Sequence, residues 1–130
     1  MAVQSFRDLL VWQRSIQLAT VAYRATDGFP REEIYGLKNQ MRRSAVSIPS
    51  NIAEGQGRLS TGEFRQFLGV ARGSNCELQT QIEIARALKF GEVGLLDELE
   101  GLSFEVGKMI NSILNKTKPQ ATPHSPTTNH

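Results

Sequence analysis

Arginine is the residue type whose spacing carries the clearest chemical suggestion. Arg58, Arg65, Arg72 and Arg86 fall at seven-residue steps, with Gln79 in the vacant slot. Heptad spacing drifts by only about 20° per step on a straight helix. Arg65, Arg72 and Arg86 therefore form a line along one helix, with Arg58 just before its start. Lys38, Arg42 and Arg43 can extend the line from a neighbouring helix. Such a row binds phosphate backbones through charge and counterion release, without reading sequence. A solvated face, or salt bridges to an acidic neighbour, accounts for the same row. Few aromatic residues accompany it, so base stacking on single strands is not suggested.

Other chemistry is sparse. His124 and His130 both lie in a C-terminal segment that reads as disordered, which leaves the folded part without an imidazole base or histidine ligand. Cys76 has no histidine partner to activate it and reads as a small packing residue. There is no GxxxxGK[ST] loop, and Gly55-Gln56-Gly57 is too short to be a nucleotide fingerprint. The Glu-x-x-His pairs of di-iron bundles are absent. Glu77 and Glu83 point about 120° apart on a helix. Glu54 and Glu63 flank a turn, where capping explains Glu63 more simply. No catalytic residue, metal site or cofactor is expected, and the reading is non-enzymatic.

The elements that carry the arginines are helical. In residues 32–56, Ile34, Leu37, Met41, Ala45, Ile48 and Ile52 fall within roughly 40° of Met41. Pro49 interrupts that face and predicts a kinked helix rather than two, with Ser50, Asn51 and Glu54 placed to satisfy the backbone groups it frees. Gly55 and Gly57 are expected to end this second helix, over about 31–54, through the left-handed conformation of a C-cap. A first helix over about 6–25 has Leu9, Trp12, Ile16, Ala19, Thr20 and Tyr23 on one face. Leu10, Val11, Leu18, Val21 and Ala22 lie nearly opposite. A helix apolar on two sides is buried on two sides, so the second face is expected to meet another subunit.

Ser60-Thr61-Gly62-Glu63 has capping-box spacing and opens a third helix over 61–88. Its core face is Phe64, Phe67, Leu68, Ala71, Asn75, Leu78, Ile82 and Ala85. Opposite runs a small-residue stripe of Gly69, Gly73, Cys76 and Thr80, best explained by close approach of another helix. A fourth helix over about 92–115 carries Leu95, Leu96, Leu99, Leu102, Val106, Met109 and Ile110, with acidic residues in its first half. The expected architecture is all-α: residues 1–115 form an antiparallel up-down-up-down four-helix bundle. Residues 116–130, with three prolines and no large apolar residue, read as a disordered tail.

Bulk properties fit one soluble domain. The chain has 130 residues, 39% hydrophobic and 22% charged, and a net charge of +2. That charge divides unevenly: +4 over residues 1–90, −4 over 91–115 and +2 over 116–130. A basic side and an acidic side follow, which suit nucleic acid, an acidic protein or self-association. No apolar run is long enough to span a bilayer, MAVQSFRDLL does not resemble a secretion signal, and a single cysteine fits a reducing compartment. A cytoplasmic, membrane-free location is expected.

Several segments together resemble one family. They are Glu33-Ile34-Tyr35-Gly36-Leu37, Gln40-Met41-Arg42-Arg43-Ser44-Ala45, Ser47-Ile48-Pro49-Ser50-Asn51-Ile52-Ala53-Glu54-Gly55 and Phe67-Leu68-Gly69-Val70-Ala71-Arg72-Gly73-Ser74, with Phe6, Leu9, Val11 and Trp12 ahead of them. Over about residues 5–115 the chain resembles the four-helix bundle proteins often encoded in intervening sequences of bacterial 23S rRNA genes. The resemblance implies a cytoplasmic bacterial protein that forms a ring, typically a homopentamer. It also implies distant kinship with the accessory variability protein of diversity-generating retroelements, which binds nucleic acid and works with a reverse transcriptase. It implies no settled activity and no catalytic residues.

The functional expectation is a homo-oligomer that binds structured RNA or a ribonucleoprotein through Lys38, Arg42, Arg43, Arg58, Arg65 and Arg72. Its subunit contacts are expected at Leu10, Val11, Leu18, Val21, Gly69 and Gly73. The alternative is a protein-interaction scaffold or accessory subunit, with a reverse transcriptase-like partner and no nucleic-acid role.

Overall fold

The computed structural model describes residues 5–119. Four helices, α1 Leu10–Asp27, α2 Leu37–Gln56, α3 Thr61–Leu88 and α4 Val93–Lys116, run up-down-up-down. α2 packs on α1 and α3, and α4 packs on α3 and α1, so each helix has two neighbours and the diagonal pairs stay apart. Leu18, Met41, Ile48, Ile52, Leu68, Leu78, Ile82, Leu99 and Ile110 are fully buried between them. Among the described residues no helix is long and apolar enough to cross a membrane. Most of the tail expected over 116–130 lies outside the described residues, although Lys116 still belongs to α4.

The helix starts differ from the periodicity. Phe6–Asp8 is a separate 3-10 turn, closed by Ser5 Oγ accepting from the Arg7 amide and Asp8 accepting from the Ser5 amide. Leu9 is extended, and α1 begins only after it. The two faces of α1 are also partly exchanged, although Leu9, Trp12 and Ala19 still pack against the core and Leu10 is exposed. Val11, Leu18, Val21 and Ala22 line the core of their own chain, joined by the small polar Ser15 and Thr26. Ser15 and Thr26 return their hydroxyl protons to the Trp12 and Ala22 carbonyls, which lets them be buried without loss. Ile16 and Tyr23, expected inside, are exposed.

The second helix is shorter than expected. Arg31–Glu33 is a 3-10 turn, and α2 starts at Leu37 behind Gly36, with the Leu37 amide donating to Glu33 Oε1 at 2.9 Å. Ile34 therefore leaves the core register and lies 51% exposed. Pro49 sits inside one continuous helix, as expected. Of the three polar residues beyond it, Asn51 donates to the Ser47 carbonyl at 2.8 Å, whereas Glu54 pairs with Arg58. Neither Gly55 nor Gly57 is left-handed: Gly57 has φ −79° and Gly55 is buried within the helix. Gly55 answers a packing demand instead, because a Cβ there would lie 2.7 Å from Phe67 Cβ. The α2–α3 crossing needs that hydrogen.

α3 matches its expected bounds and core face. Ser60 Oγ accepts from the Glu63 amide, while the Glu63 carboxylate takes the Ser60 hydroxyl rather than reaching back to the backbone. At the other end Lys89 (φ 59°) and Gly91 (φ 78°) turn the chain. A side chain at Gly91 would also strike Phe29. Gly69 and Gly73 face open space, and Cys76 is exposed rather than packed.

The arginine row of α3 is a seam with α4. Arg65 donates to the Leu114 carbonyl and to Thr117 Oγ1, and Arg72 donates to Asn111 Oδ1 at 3.2 Å. Gln79 donates to Ser103 Oγ at 2.8 Å, and Arg86 bridges Asp97 at 2.8 Å and Glu100 at 2.9 Å. The Asp97 hydrogen bond, against some burial and with help from Glu100, raises the Arg86 pKa above its ordinary value. Beneath the seam Asn75, 2% exposed, donates to the Ser103 carbonyl and accepts from Ser103 Oγ at 2.7 Å.

Stability measurements on four variants check this packing. Gly55→Ala should lower the unfolding free energy in urea by about 1–3 kcal/mol, because overpacking against Phe67 and Phe64 outweighs alanine's helix preference. Gly69→Ala and Gly73→Ala, with open space around them, should each raise it by up to about 1 kcal/mol. Asn75→Ala should cost about 1–3 kcal/mol, since it strands the buried Ser103 groups.

Candidate polyanion-binding cleft

The six cations expected to form one patch separate into groups. Arg65 and Arg72 lie on the α3–α4 side, committed to the seam. Arg58, at the turn between α2 and α3, pairs with Glu54 at 2.9 Å and lies over the Phe67 ring at 4.7 Å. Lys38, Arg42 and Arg43 line a cleft of about 680 Å³ where α1 meets α2. The α1–α2 side is opposite the α3–α4 side in this bundle, so the cations of α2 do not extend the row on α3.

Tyr23, Ile34, Tyr35, Asn39, Val46 and Ser47 complete the cleft, and no carboxylate lines it. Arg42 is its fixed member. Its Nε donates to Thr26 Oγ1 at 2.8 Å, its Nη2 donates to the Tyr23 carbonyl at 3.1 Å, and its guanidinium lies 4.3 Å from the centre of the Tyr23 ring. The Tyr23 carbonyl belongs to the last turns of α1, where the helix dipole favours a cation. All these partners are neutral, so the charge of Arg42 is held but not cancelled. Lys38 and Arg43 have no ion pair among the described residues. Tyr35 is 90% exposed, beside Ile34 and Val46, which are also largely in water.

Such a surface can hold phosphates on three cations and offer tyrosine rings to stack or cover. The tyrosines were not legible as site residues. Tyr23 fell on a face expected to be buried, and Tyr35 lies in the turn before α2, where helical periodicity has no meaning. The one available signal was Tyr35-Gly36, a glycine stop directly after an aromatic residue.

The expected subunit contacts are also redistributed. Val11, Leu18 and Val21 are used by the core of their own chain, while Leu10, Gly69 and Gly73 are exposed. Among the described residues no group of three or more His, Cys, Asp or Glu is placed to hold a metal ion.

Comparison with known proteins bears on the fold and the family. A solved protein of unknown function from the S23 ribosomal protein family of Bacteroides thetaiotaomicron superposes with a TM-score of 0.71 at 19% identity. The match covers 85% of this chain and 100% of that one, and at this identity it speaks for the fold alone. Among curated proteins none matches. A model of the 23S rRNA-intervening sequence protein matches residues 7–112, from ahead of α1 into the last turns of α4. On that span, the chain belongs to the 23S rRNA-intervening sequence protein family.

Proposed function

We propose that the chain is a non-enzymatic, homo-oligomeric bundle, pentameric as its family resemblance implies, that binds structured RNA or a ribonucleoprotein in the α1–α2 cleft. The observation that carries this reading is the charge of the cleft: Lys38, Arg42 and Arg43 with no carboxylate among them. Unlike Arg86, these cations have no anionic partner among the described residues, so a phosphate backbone is their natural counterion. Tyr35 adds exposed surface on which an unpaired base can stack. Arg58 belongs to this reading only at its margin, since it pairs with Glu54, and Arg65 and Arg72 keep their charge but lie on the opposite, α3–α4 side of the bundle.

A second reading has an observation of its own. The exposed Ile34, Tyr35 and Val46 beside two arginines also resemble a protein interface, where tyrosine and arginine are enriched. In that case the cleft receives an acidic protein or a reverse transcriptase-like partner, and the chain is a scaffold.

Salt dependence of binding to a structured RNA separates the two. The double variant Lys38→Glu with Arg43→Glu should weaken binding and reduce the slope of log affinity against log salt by about 2. Arg42 is left intact because it also ties α1 to α2. Wild-type protein that elutes free of nucleic acid and shows no RNA affinity at low salt would give the scaffold the better claim. An unchanged slope in the double variant would remove the cleft as the site.

A further inference from the structure

A second cleft, of about 390 Å³, opens between α2 and α3, and Asn39, Arg43 and Ser47 line both clefts. Its other walls are Gln40, Ser44, Ser74, Glu77 and Gln81, so no apolar side chain lines it. The volume lies in the range of small-ligand sites. Arg43 and Glu77 both face this space, yet among the described residues they pair neither with each other nor with any other group. On the floor, Ser44, Ser74 and Gln81 are buried, and the Gln81 Oε1 atom has no hydrogen-bond partner. Ser47 and Ser74 are occupied with one another at 2.8 Å, and Asn51 also donates to Ser47.

We propose that this α2–α3 cleft binds an unpaired guanine base of the RNA whose phosphates lie in the α1–α2 cleft. The proposal rests on the RNA reading above and names what that RNA presents. A cleft with one free cation, one free carboxylate and a neutral amide suits a flat ligand with donors and acceptors on different edges. Single-stranded RNA is recognised on just such edges, once its bases are splayed out. Guanine is the common base with two adjacent donors, N1–H and N2–H, spaced to meet both oxygens of one carboxylate, here Glu77. Its O6 and N7 acceptors match the fork of an arginine, here Arg43, which then leaves the phosphates to Lys38 and Arg42. The second N2–H is left for the Gln81 amide, whose terminal torsion is soft enough to turn its oxygen toward a ligand. Arg43 stands in the wall between the clefts, so a backbone in one can deliver a base to the other.

The test uses the full chain, two RNA hairpins that differ only in an unpaired loop G or A, and the free nucleotides GMP and AMP. Glu77→Gln is the variant of choice, because Glu77 is exposed and has no partner to lose. Wild type should bind the G hairpin about tenfold more tightly than the A hairpin. Glu77→Gln should reduce that preference to about twofold or less, while the A hairpin is bound no more weakly than by wild type. GMP, more than AMP, should shift the amide resonances of Ser44, Ser74 and Gln81. Hairpins bound without preference, and GMP no better than AMP, would overturn the base pocket and leave the basic cleft standing. Selective GMP shifts with no hairpin binding would keep the pocket and overturn the RNA reading. No binding of any probe would overturn both.

Discussion

In a square bundle a helix touches two neighbours and never the one across the diagonal, and the charges of this chain are distributed under that constraint. α4 carries a cluster of acidic residues, Asp97, Glu98, Glu100 and Glu105, and it touches α1 and α3. From α1, Arg14 pairs with Glu105 and Arg24 with Glu98. From α3, Arg86 takes Asp97 and Glu100. α2 is diagonal to α4, so its cations have no acidic helix within reach. The α1–α2 cleft keeps its charge for this topological reason. Exposed pairs of this kind contribute at most about 1 kcal/mol each, against about 1.5–3 kcal/mol for a buried Leu or Ile. The core supplies the stability, and the pairs decide where charge remains.

The α3–α4 seam also fixes register. Its partners descend α4 as the row climbs α3, from Leu114 and Thr117 to Asn111, then Ser103, then Asp97 and Glu100. An antiparallel apolar face alone permits sliding by a turn. Asn75 and Ser103, buried and mutually bonded, do not. A slip would strand buried polar groups, and that loss exceeds anything the exposed arginines return.

Much of this was legible in the sequence, and the failures share a cause. The bounds of α3, its Ser60 cap and its core face follow from one unbroken period, and they are as read. The same period could not say which of two apolar faces of α1 turns inward, because Val11 and Ile16 weigh equally in it. The small hydroxyl residues Ser15 and Thr26 lie on the buried side, bonding backward to the helix. Ile34 was misplaced because the period was continued through a 3-10 turn. Gly55 was read as a local stop, yet its reason is Phe67 on another helix. The arginine row was found by its spacing, but spacing locates a line without saying what the line faces. Only the position of α4 converts it from a free surface into a seam.

The α1–α2 cleft combines one held cation with two that have no partner among the described residues. Arg42 is ordered before any ligand arrives, by Thr26, the Tyr23 carbonyl and the Tyr23 ring. A guanidinium already fixed loses little side-chain freedom when it meets a phosphate, and its planar fork sets a direction. Lys38 and Arg43 have no ion pair among the described residues, so in the proposed reading their charge is open to a phosphate. The same contacts make Arg42 the clamp between the end of α1 and the middle of α2, so the cleft and the α1–α2 crossing share one residue. A ligand that pulled Arg42 away would lose the bonds that placed it. In the proposed reading an anion would therefore meet Arg42 at its open edge, with Tyr23 left stacked beneath.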